Sequence, residues 1–302
     1  MISSVNELVE KARGLKSGTI AVAVAQDDVV IKAIVAAREK DIAEAVLVGD
    51  SDEIKRIAEG IGVDISAFEI VDAKDKHEAA RKAVELVSCG RANLLMKGFI
   101  DSASFLRAVL DKEQGLRSGR LMSHAGVFEV PHLGRLIFLT DAAFNIAPTL
   151  QEKSQIIVNA VGLARAVGID VPKVAALCAL ELVNPDMPAT LDAAVLAKMC
   201  DRGQIKNCVV DGPLAMDNIL SQEAAKHKGV GGPVAGRADI ILVPNIETGN
   251  AVYKTLTFAG RFRSGGILLG ASVPVIMTSR ADNFDTRIFS IALAAFTANF
   301  KG

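Results

Sequence analysis

The chain has 302 residues, of which 50% are hydrophobic and 23% charged, so it is long enough for two ordinary domains with buried cores. Lys and Arg number 34 against 35 Asp and Glu, and this near balance leaves no global basic field to attract nucleic acid or an anionic membrane. An aromatic content of 4% also argues against a stacking surface for single-stranded nucleic acid. Any anion site is therefore expected to be local.

Targeting signals and cysteine spacing bear on the compartment. The first thirty residues carry Glu, Lys and Arg without a secretory pattern, and the sequence contains no run of about eighteen apolar residues. The four cysteines have no CxxC spacing, which favours reduced structural thiols. A cytoplasmic protein without a membrane segment is expected.

Strands and helices alternate in the prediction for the first part of the chain. β-branched and apolar runs predict strands at 19–25, 43–50, 68–73 and 93–98, and helical spacing predicts helices at 5–15, 29–37, 51–58, 77–87 and 104–110. Alternation of this kind predicts a parallel α/β sheet with right-handed crossovers.

The pattern changes after the segment GLRSGR. Two strands, in SHAGVFEVP and GRLIFLTDAA, follow each other without a helix, which predicts an antiparallel excursion into a second domain. Alternation then resumes, with helices at 152–166, 191–200 and 249–258 and strands at 173–180, 208–215 and 238–245. The expected architecture is two α/β domains with a cleft between them, one made of residues 1–118 and 270–302 and the other of residues 119–269.

The stretch PVIMTSRADNFDTR ends an apolar strand and begins an amphipathic helix. Thr278, Ser279 and Arg280 fall in the turn between them, where ligands bind in open parallel sheets. The helix that follows adds free N–H groups and the positive end of its dipole, so the expected guest is an anion. Three side chains in the turn are candidates for the helix N-cap: Asp282, Asn283 and Asp285.

Other motifs leave alternatives open. The glycine-rich segment 229–236 lacks GxGxxG spacing, so it is either a plain loop or a mobile lip over a ligand. The carboxylates of DGPLAMD and the four scattered histidines do not form a metal-ligand pattern, and no metal is expected. Thr248 and Asn250 follow a strand, either as helix caps or as ligand contacts. Arg107, on a helix shortly after Lys97, is either a surface charge or a phosphate ligand.

Several segments together resemble the phosphate acetyl/butyryltransferase family, and more closely its butyryl branch. They are PVIMTSR, PVAGRADIILVPNIETGNAVYK, VVDGPLAMDNILS, LMKGF followed by FLRAVL, and LTDAAFNIAPTL, in an order and spacing that cover nearly the whole chain. The resemblance implies two α/β domains similar to isocitrate and isopropylmalate dehydrogenases. It also implies reversible acyl transfer between coenzyme A (CoA), which is a substrate, and inorganic phosphate, without a metal or redox cofactor.

The resemblance also implies roles for particular residues. Ser279 and Arg280 match the family's pair at the reaction centre, and Arg107 matches its second phosphate-binding arginine, with Thr278 beside the phosphate. The position of the family's proposed base falls on Thr286, so the neighbouring Asp285 is the candidate base. The expected CoA contacts are Thr248, Asn250 and Lys254.

The expected chemistry is direct displacement, in which the CoA thiolate attacks the carbonyl carbon of an acyl phosphate and phosphate leaves. A homodimer or larger homo-oligomer is expected. The alternatives are a phosphate acetyltransferase, a non-catalytic homologue that binds CoA or acyl phosphate, and an NAD-dependent dehydrogenase on a similar fold.

Overall fold

A computed structural model describes residues 2–15, 18–279 and 282–300. Contacts group the chain into two compact units. The terminal unit consists of Val5–Arg120 and Ser264–Lys301, and the central unit consists mainly of Leu121–Arg263.

The strands are short and mostly buried, as expected for sheets covered by helices. They are β1 Thr19–Ala23, β2 Glu44–Gly49, β3 Glu69–Asp72, β4 Leu94–Lys97, β5 Ser123–Val130, β6 Arg135–Thr140, β7 Lys173–Leu177, β8 Val209–Leu214, β9 Ile240–Leu242, β10 Ser264–Leu269 and β11 Val275–Ile276.

The helices are amphipathic or buried, and a short side chain caps the amino terminus of most of them. They are α1 Val5–Ala12, α2 Asp28–Glu39, α3 Ser51–Gly60, α4 Lys76–Ser88, α5 Ser102–Val109, α6 Leu150–Ala166, α7 Pro188–Asp201, α8 Met216–Leu220, α9 Gln222–His227, α10 Ile246–Lys254 and α11 Phe284–Asn299. A 3₁₀ turn spans Pro131–Leu133, and a π-helical turn, Thr255–Ala259, continues α10.

The terminal unit contains strands in the order β3-β2-β1-β4-β11-β10. The pairs β2–β3, β1–β2, β1–β4 and β4–β11 are parallel, which confirms the parallel sheet predicted for the first part of the chain. The pair β10–β11 is antiparallel. Helix α11 packs against β10, α1 and α2, and its buried face includes Ile288, Phe289 and Ile291.

The central unit contains strands in the order β5-β6-β9-β7-β8. The antiparallel pairing of β5 with β6 confirms the antiparallel pair predicted from two strands without a helix between them, and the remaining pairs are parallel. Its core gathers apolar side chains from these strands, among them Phe128, Leu139, Ala175 and Ile241.

Several local predictions differ from the structure. The apolar strand predicted at the start of PVIMTSRADNFDTR is reduced to the two residues of β11, and the strand β10 before it was not predicted. The helix predicted at 249–258 begins earlier, at Ile246. The short helices α8 and α9 occupy a stretch for which no helix was predicted. Within the described ranges, every helix is too short or too polar to cross a membrane.

Candidate active site

Strands β1, β4 and β11 of the terminal unit end at the same edge of its sheet. Residues 20–23 of β1 pair with residues 94–97 of β4, and residues 275–276 of β11 pair with residues 95–96. The segments that follow these strands therefore leave the sheet together, at the edge where parallel α/β sheets bind ligands. Gly98 follows β4, and a side chain there would collide with the carbonyl oxygen of Val24 after β1. Glycine thus allows the two strand ends to approach closely.

Ser279 begins a tight turn between β11 and α11. Its N–H donates to the Asp282 carboxylate over 2.6 Å, and the Asp282 N–H donates to the Ser279 carbonyl oxygen over 3.2 Å. Asn283 then caps α11 by accepting from the Thr286 N–H at 3.0 Å, which selects one of the three predicted caps. Asp282 thus engages both the N–H and the carbonyl oxygen of Ser279, which is exposed to solvent.

Arg280 and Asp285 are the two other residues near the start of α11 that were expected to do chemistry. Arg280 lies outside the residues that the structure describes. Asp285 lies in the first turn of α11 and is exposed to solvent, where its negative charge also complements the helix dipole.

Arg287 is a buried arginine in α11 that sequence analysis did not single out. Its side chain is only 3% exposed, and its Nη1 donates to the Thr278 hydroxyl oxygen at 3.2 Å. Its Nη2 lies 3.8 Å from a carboxylate oxygen of Asp27, which caps α2 just after β1. The helical spacing contained a signal, because Arg287 shares a face with the buried residues Ile291 and Ala294 at i+4 and i+7.

Arg107 lies on the exposed side of α5 rather than in the Ser279 turn. It lines a recess of about 180 Å³ together with His77 and Arg81 of α4 and Asp111 after α5. Two hydrogen bonds from backbone N–H groups hold the pKa of Asp111 below its usual range, so this carboxylate stays ionised beside the cationic groups. The recess thus places two guanidinium groups and an imidazole on one small surface, a composition that suits a phosphate group.

In the central unit, the loop after β6 is organised by Asp141, which is 2% exposed. Its carboxylate accepts hydrogen bonds from the backbone N–H groups of His124, Ala143, Phe144 and Asn145 at 2.9–3.2 Å. The Asn145 amide donates a fifth bond over 2.7 Å. This part of LTDAAFNIAPTL is therefore held by one carboxylate at the carboxyl end of a strand.

Helix α10, which also follows a strand of the central unit, carries the expected CoA contacts. Asn245 caps it by accepting from the Thr248 N–H at 3.0 Å, so Thr248 and Asn250 lie in its first turns instead of in the loop before it. Asn250 and Lys254 are exposed, and the Lys254 ammonium lies 5.8 Å from the ring of Tyr253. The exposed amide and ammonium form a polar face on which an anionic chain can lie.

The glycine-rich segment 229–236 is a loop, as predicted. Lys228, directly before this segment, is held by ion pairs. Lys228 pairs with Glu181 at 2.8 Å and with Asp217 at 2.9 Å, and its hydrogen bonds hold the pKa of each carboxyl below its usual range. Asp217 of DGPLAMD thus takes part in a charge network. Across the described part of the chain, no three His, Cys, Asp or Glu side chains are grouped so that they could hold a metal ion.

A turn with a serine hydroxyl, placed at the carboxyl ends of parallel strands and at the start of a helix, is the arrangement of an anion-binding α/β enzyme. A family model described as Phosphate acetyl/butaryl transferase matches residues 3–82 and 76–295. The chain belongs to this family of transferases.

Individual relatives match the chain over nearly their full length. The chain is 57% identical to the phosphate butyryltransferase of Clostridium acetobutylicum, covering 100% of both sequences. It is 46% identical to the phosphate acetyltransferase of Thermotoga maritima, covering 97% of this chain and 99% of the relative. Among solved structures, a branched-chain phosphotransacylase from Enterococcus faecalis V583 superposes with a TM-score of 0.81 at 33% identity, covering 93% of this chain and 98% of that one.

Proposed function

We propose that the protein catalyses reversible transfer of a butyryl group between CoA and inorganic phosphate. The observation that carries this proposal is the full-length identity of 57% to a phosphate butyryltransferase. The geometry of the Ser279 turn supports it, since the turn presents a hydroxyl where α11 begins. CoA is a substrate in this reaction, which needs no further cofactor.

The proposed reaction is a direct displacement. The CoA sulfur attacks the carbonyl carbon of butyryl phosphate, the C–S bond forms, and the C–O bond to phosphate breaks with its electron pair leaving on phosphate. The Ser279 hydroxyl donates a hydrogen bond to the sulfur or to the developing oxyanion and keeps its proton, which lowers the barrier by stabilising charge that appears during the reaction. Arg280 is proposed to bind phosphate oxygens, and Thr278 adds a hydroxyl. Arg107, which lines the recess on α5 and not the Ser279 turn, is proposed as a second phosphate-binding group.

Asp285 is proposed as the base that takes the thiol proton. Its exposed position lets it exchange that proton with water. A thiol with an ordinary pKa of about 8.5 is already partly ionised near neutral pH, so the base has only a modest contribution to make.

Three residues of α10 are proposed to bind CoA. Thr248 and Asn250 offer polar side chains, and Lys254 offers an ammonium for the phosphates of CoA. The exposed position of Asn250 and Lys254 supports this assignment, because CoA carries a long anionic portion that binds without reacting.

Broader features of the sequence interpretation remain proposals. A homo-oligomer is supported by exposed apolar side chains on α6 and α7, where Val158 is 47%, Leu191 40% and Val195 44% exposed. The cytoplasmic location and the likeness to isocitrate and isopropylmalate dehydrogenases stay predictions.

The second candidate function is that of a phosphate acetyltransferase, favoured by the 46% identity to such an enzyme. The chemistry is the same and only the acyl pocket differs, and one methylene in an apolar pocket is worth about 1–3 kcal/mol. A graded chain-length preference is therefore expected for either enzyme.

Release of CoA from acetyl-, propionyl-, butyryl- and isobutyryl-CoA tests the proposal, with a thiol reagent as readout and reactions without phosphate as controls. The proposal expects phosphate-dependent release with kcat/KM highest for a four-carbon chain. A maximum at acetyl-CoA identifies a phosphate acetyltransferase. Binding of CoA without any phosphate-dependent release identifies a non-catalytic homologue.

A further inference from the structure

The buried guanidinium of Arg287 is poorly compensated. Its nearest carboxylate, on Asp27, lies 3.8 Å away and already accepts from the Val30 N–H at 2.9 Å as the cap of α2. The Arg287 Nε has no hydrogen-bond partner among the residues that the structure describes. A buried charge with weak pairing destabilises a fold, so packing alone does not account for an arginine at this position.

The hydrogen bond from Arg287 to Thr278 determines the direction in which the Thr278 hydroxyl proton points. A guanidinium only donates, so the Thr278 oxygen must accept from Arg287 Nη1. The single proton of that hydroxyl therefore points away from Arg287. Thr278 is 4% exposed and directly precedes Ser279, so the orientation of its hydroxyl is fixed within the candidate site.

We infer that Arg287 is a positioning residue that fixes the Thr278 hydroxyl as a hydrogen-bond donor to phosphate. This inference rests on the proposed function, because it takes phosphate as the anion bound in the Ser279 turn. Arg287 contacts Thr278 and not the phosphate. The same contact holds the end of β11 to α11, which sets the direction in which the chain enters the turn.

The position of Arg287 and its charge both support this role. Arg287 is eight residues beyond Ser279, and α11 places it against the strand end that the turn leaves. Its positive charge also favours an anion nearby, because buried charges are weakly screened by salt. A lysine at this position keeps the charge but loses the planar fork, so the two contributions are separable.

Titration calorimetry of the full chain with inorganic phosphate tests the inference. Thr278→Val keeps the shape of the side chain and removes the hydroxyl, and we expect it to weaken phosphate binding about tenfold or more, as for loss of a hydrogen bond to a charged group. Thr278→Ser keeps the hydroxyl and is expected to restore most of that loss. Arg287→Met is expected to weaken binding at least as much as Thr278→Val.

The double variant Thr278→Val with Arg287→Met separates positioning from direct contact. If Arg287 acts through the hydroxyl, the double variant binds phosphate no more than about threefold more weakly than Arg287→Met alone, because the two changes remove one interaction. Losses that multiply, or a Thr278→Val variant that binds phosphate like the wild type, overturn the inference. If Arg287→Met does not fold, Arg287→Lys replaces it in the same comparison, and multiplying losses with Thr278→Val again overturn the inference.

Failure of the inference and failure of the proposed function give different results. A wild-type protein that binds phosphate, with the expected losses in the variants, but releases no CoA from any acyl-CoA, contradicts the proposed function and supports the inference. A wild-type protein that transfers acyl groups, with variants that bind phosphate unchanged, overturns only the inference. A wild-type protein that does not bind phosphate also overturns it.

Discussion

Replacing Asp141 with alanine removes the carboxylate that holds the loop after β6. Four backbone N–H groups and one side-chain amide lose their acceptor. Ala143 is exposed, so water replaces its partner, whereas His124 is buried and its N–H is left unsatisfied. Phe144 and Asn145 are half-buried and lose part of their hydrogen bonding.

The size of the effect follows from this inventory. One buried donor costs about 1–3 kcal/mol, and two half-buried donors cost about 1 kcal/mol each, so Asp141→Ala is expected to lower the free energy of unfolding by about 3–5 kcal/mol. Asp141→Asn keeps one acceptor oxygen but turns an NH₂ group toward the donors, so a smaller loss is expected.

Urea unfolding followed by circular dichroism measures the change. With a slope near 3 kcal/mol per molar urea, Asp141→Ala is expected to shift the midpoint down by about 1 M or more. Asp170→Ala, at an exposed position in the same unit, is the matched control and is expected to leave the midpoint unchanged. A midpoint for Asp141→Ala equal to that of the control would show that the carboxylate does not hold this loop.

Two further predictions concern titratable groups. Lys228 lowers the pKa of Glu181 and Asp217, so the stability it adds is present above their usual pKa near 4 and is lost as the pH falls through the lowered values. The Tm of the wild type is therefore expected to exceed that of Lys228→Met at pH 6 and to approach it at pH 3, and an equal difference at both pH values would contradict this. Burial raises the pKa of Cys208 to about 12, so iodoacetamide at pH 8 is expected to label the exposed Cys89 long before Cys208, as followed by mass spectrometry; equal labelling rates would refute the assignment.

The alternating strands and helices were predictable because the spacing of their buried apolar residues follows the period of each secondary structure. Strands β1, β2 and β4 are apolar runs between turn residues, and their parallel pairing followed from the helices between them. The antiparallel pair β5–β6 was predictable from two strand patterns with no helix between them.

Strand β10 could not be predicted in this way, because glycines are typical of turns and breaks and not of strand interiors. A side chain at Gly265 would lie 2.8 Å from the ring of Phe289 on α11. The strand carries glycine because a helix packs on it, and that contact is tertiary. The sequence shows a break where the structure has close packing.

The turn at Ser279 was predictable, whereas its role as a site stays a prediction. The change from an apolar run to N-cap residues located the turn at Ser279, and the structure has that turn. The burial of Arg287 was not predictable from composition, since an arginine in a helix is usually exposed. Its burial depends on how α11 packs against α2 and the strand end.

The central claim is that phosphate is bound and released at the turn that begins at Ser279, with Arg280 as a proposed ligand. Its most direct test is the steady-state kinetics of Arg280→Ala with butyryl-CoA and phosphate, with Arg91→Ala, an exposed arginine paired with Glu69, as control. The account predicts a loss in kcat/KM for phosphate of about 100-fold or more for Arg280→Ala and none for the control. Wild-type kcat and phosphate KM in Arg280→Ala would contradict it.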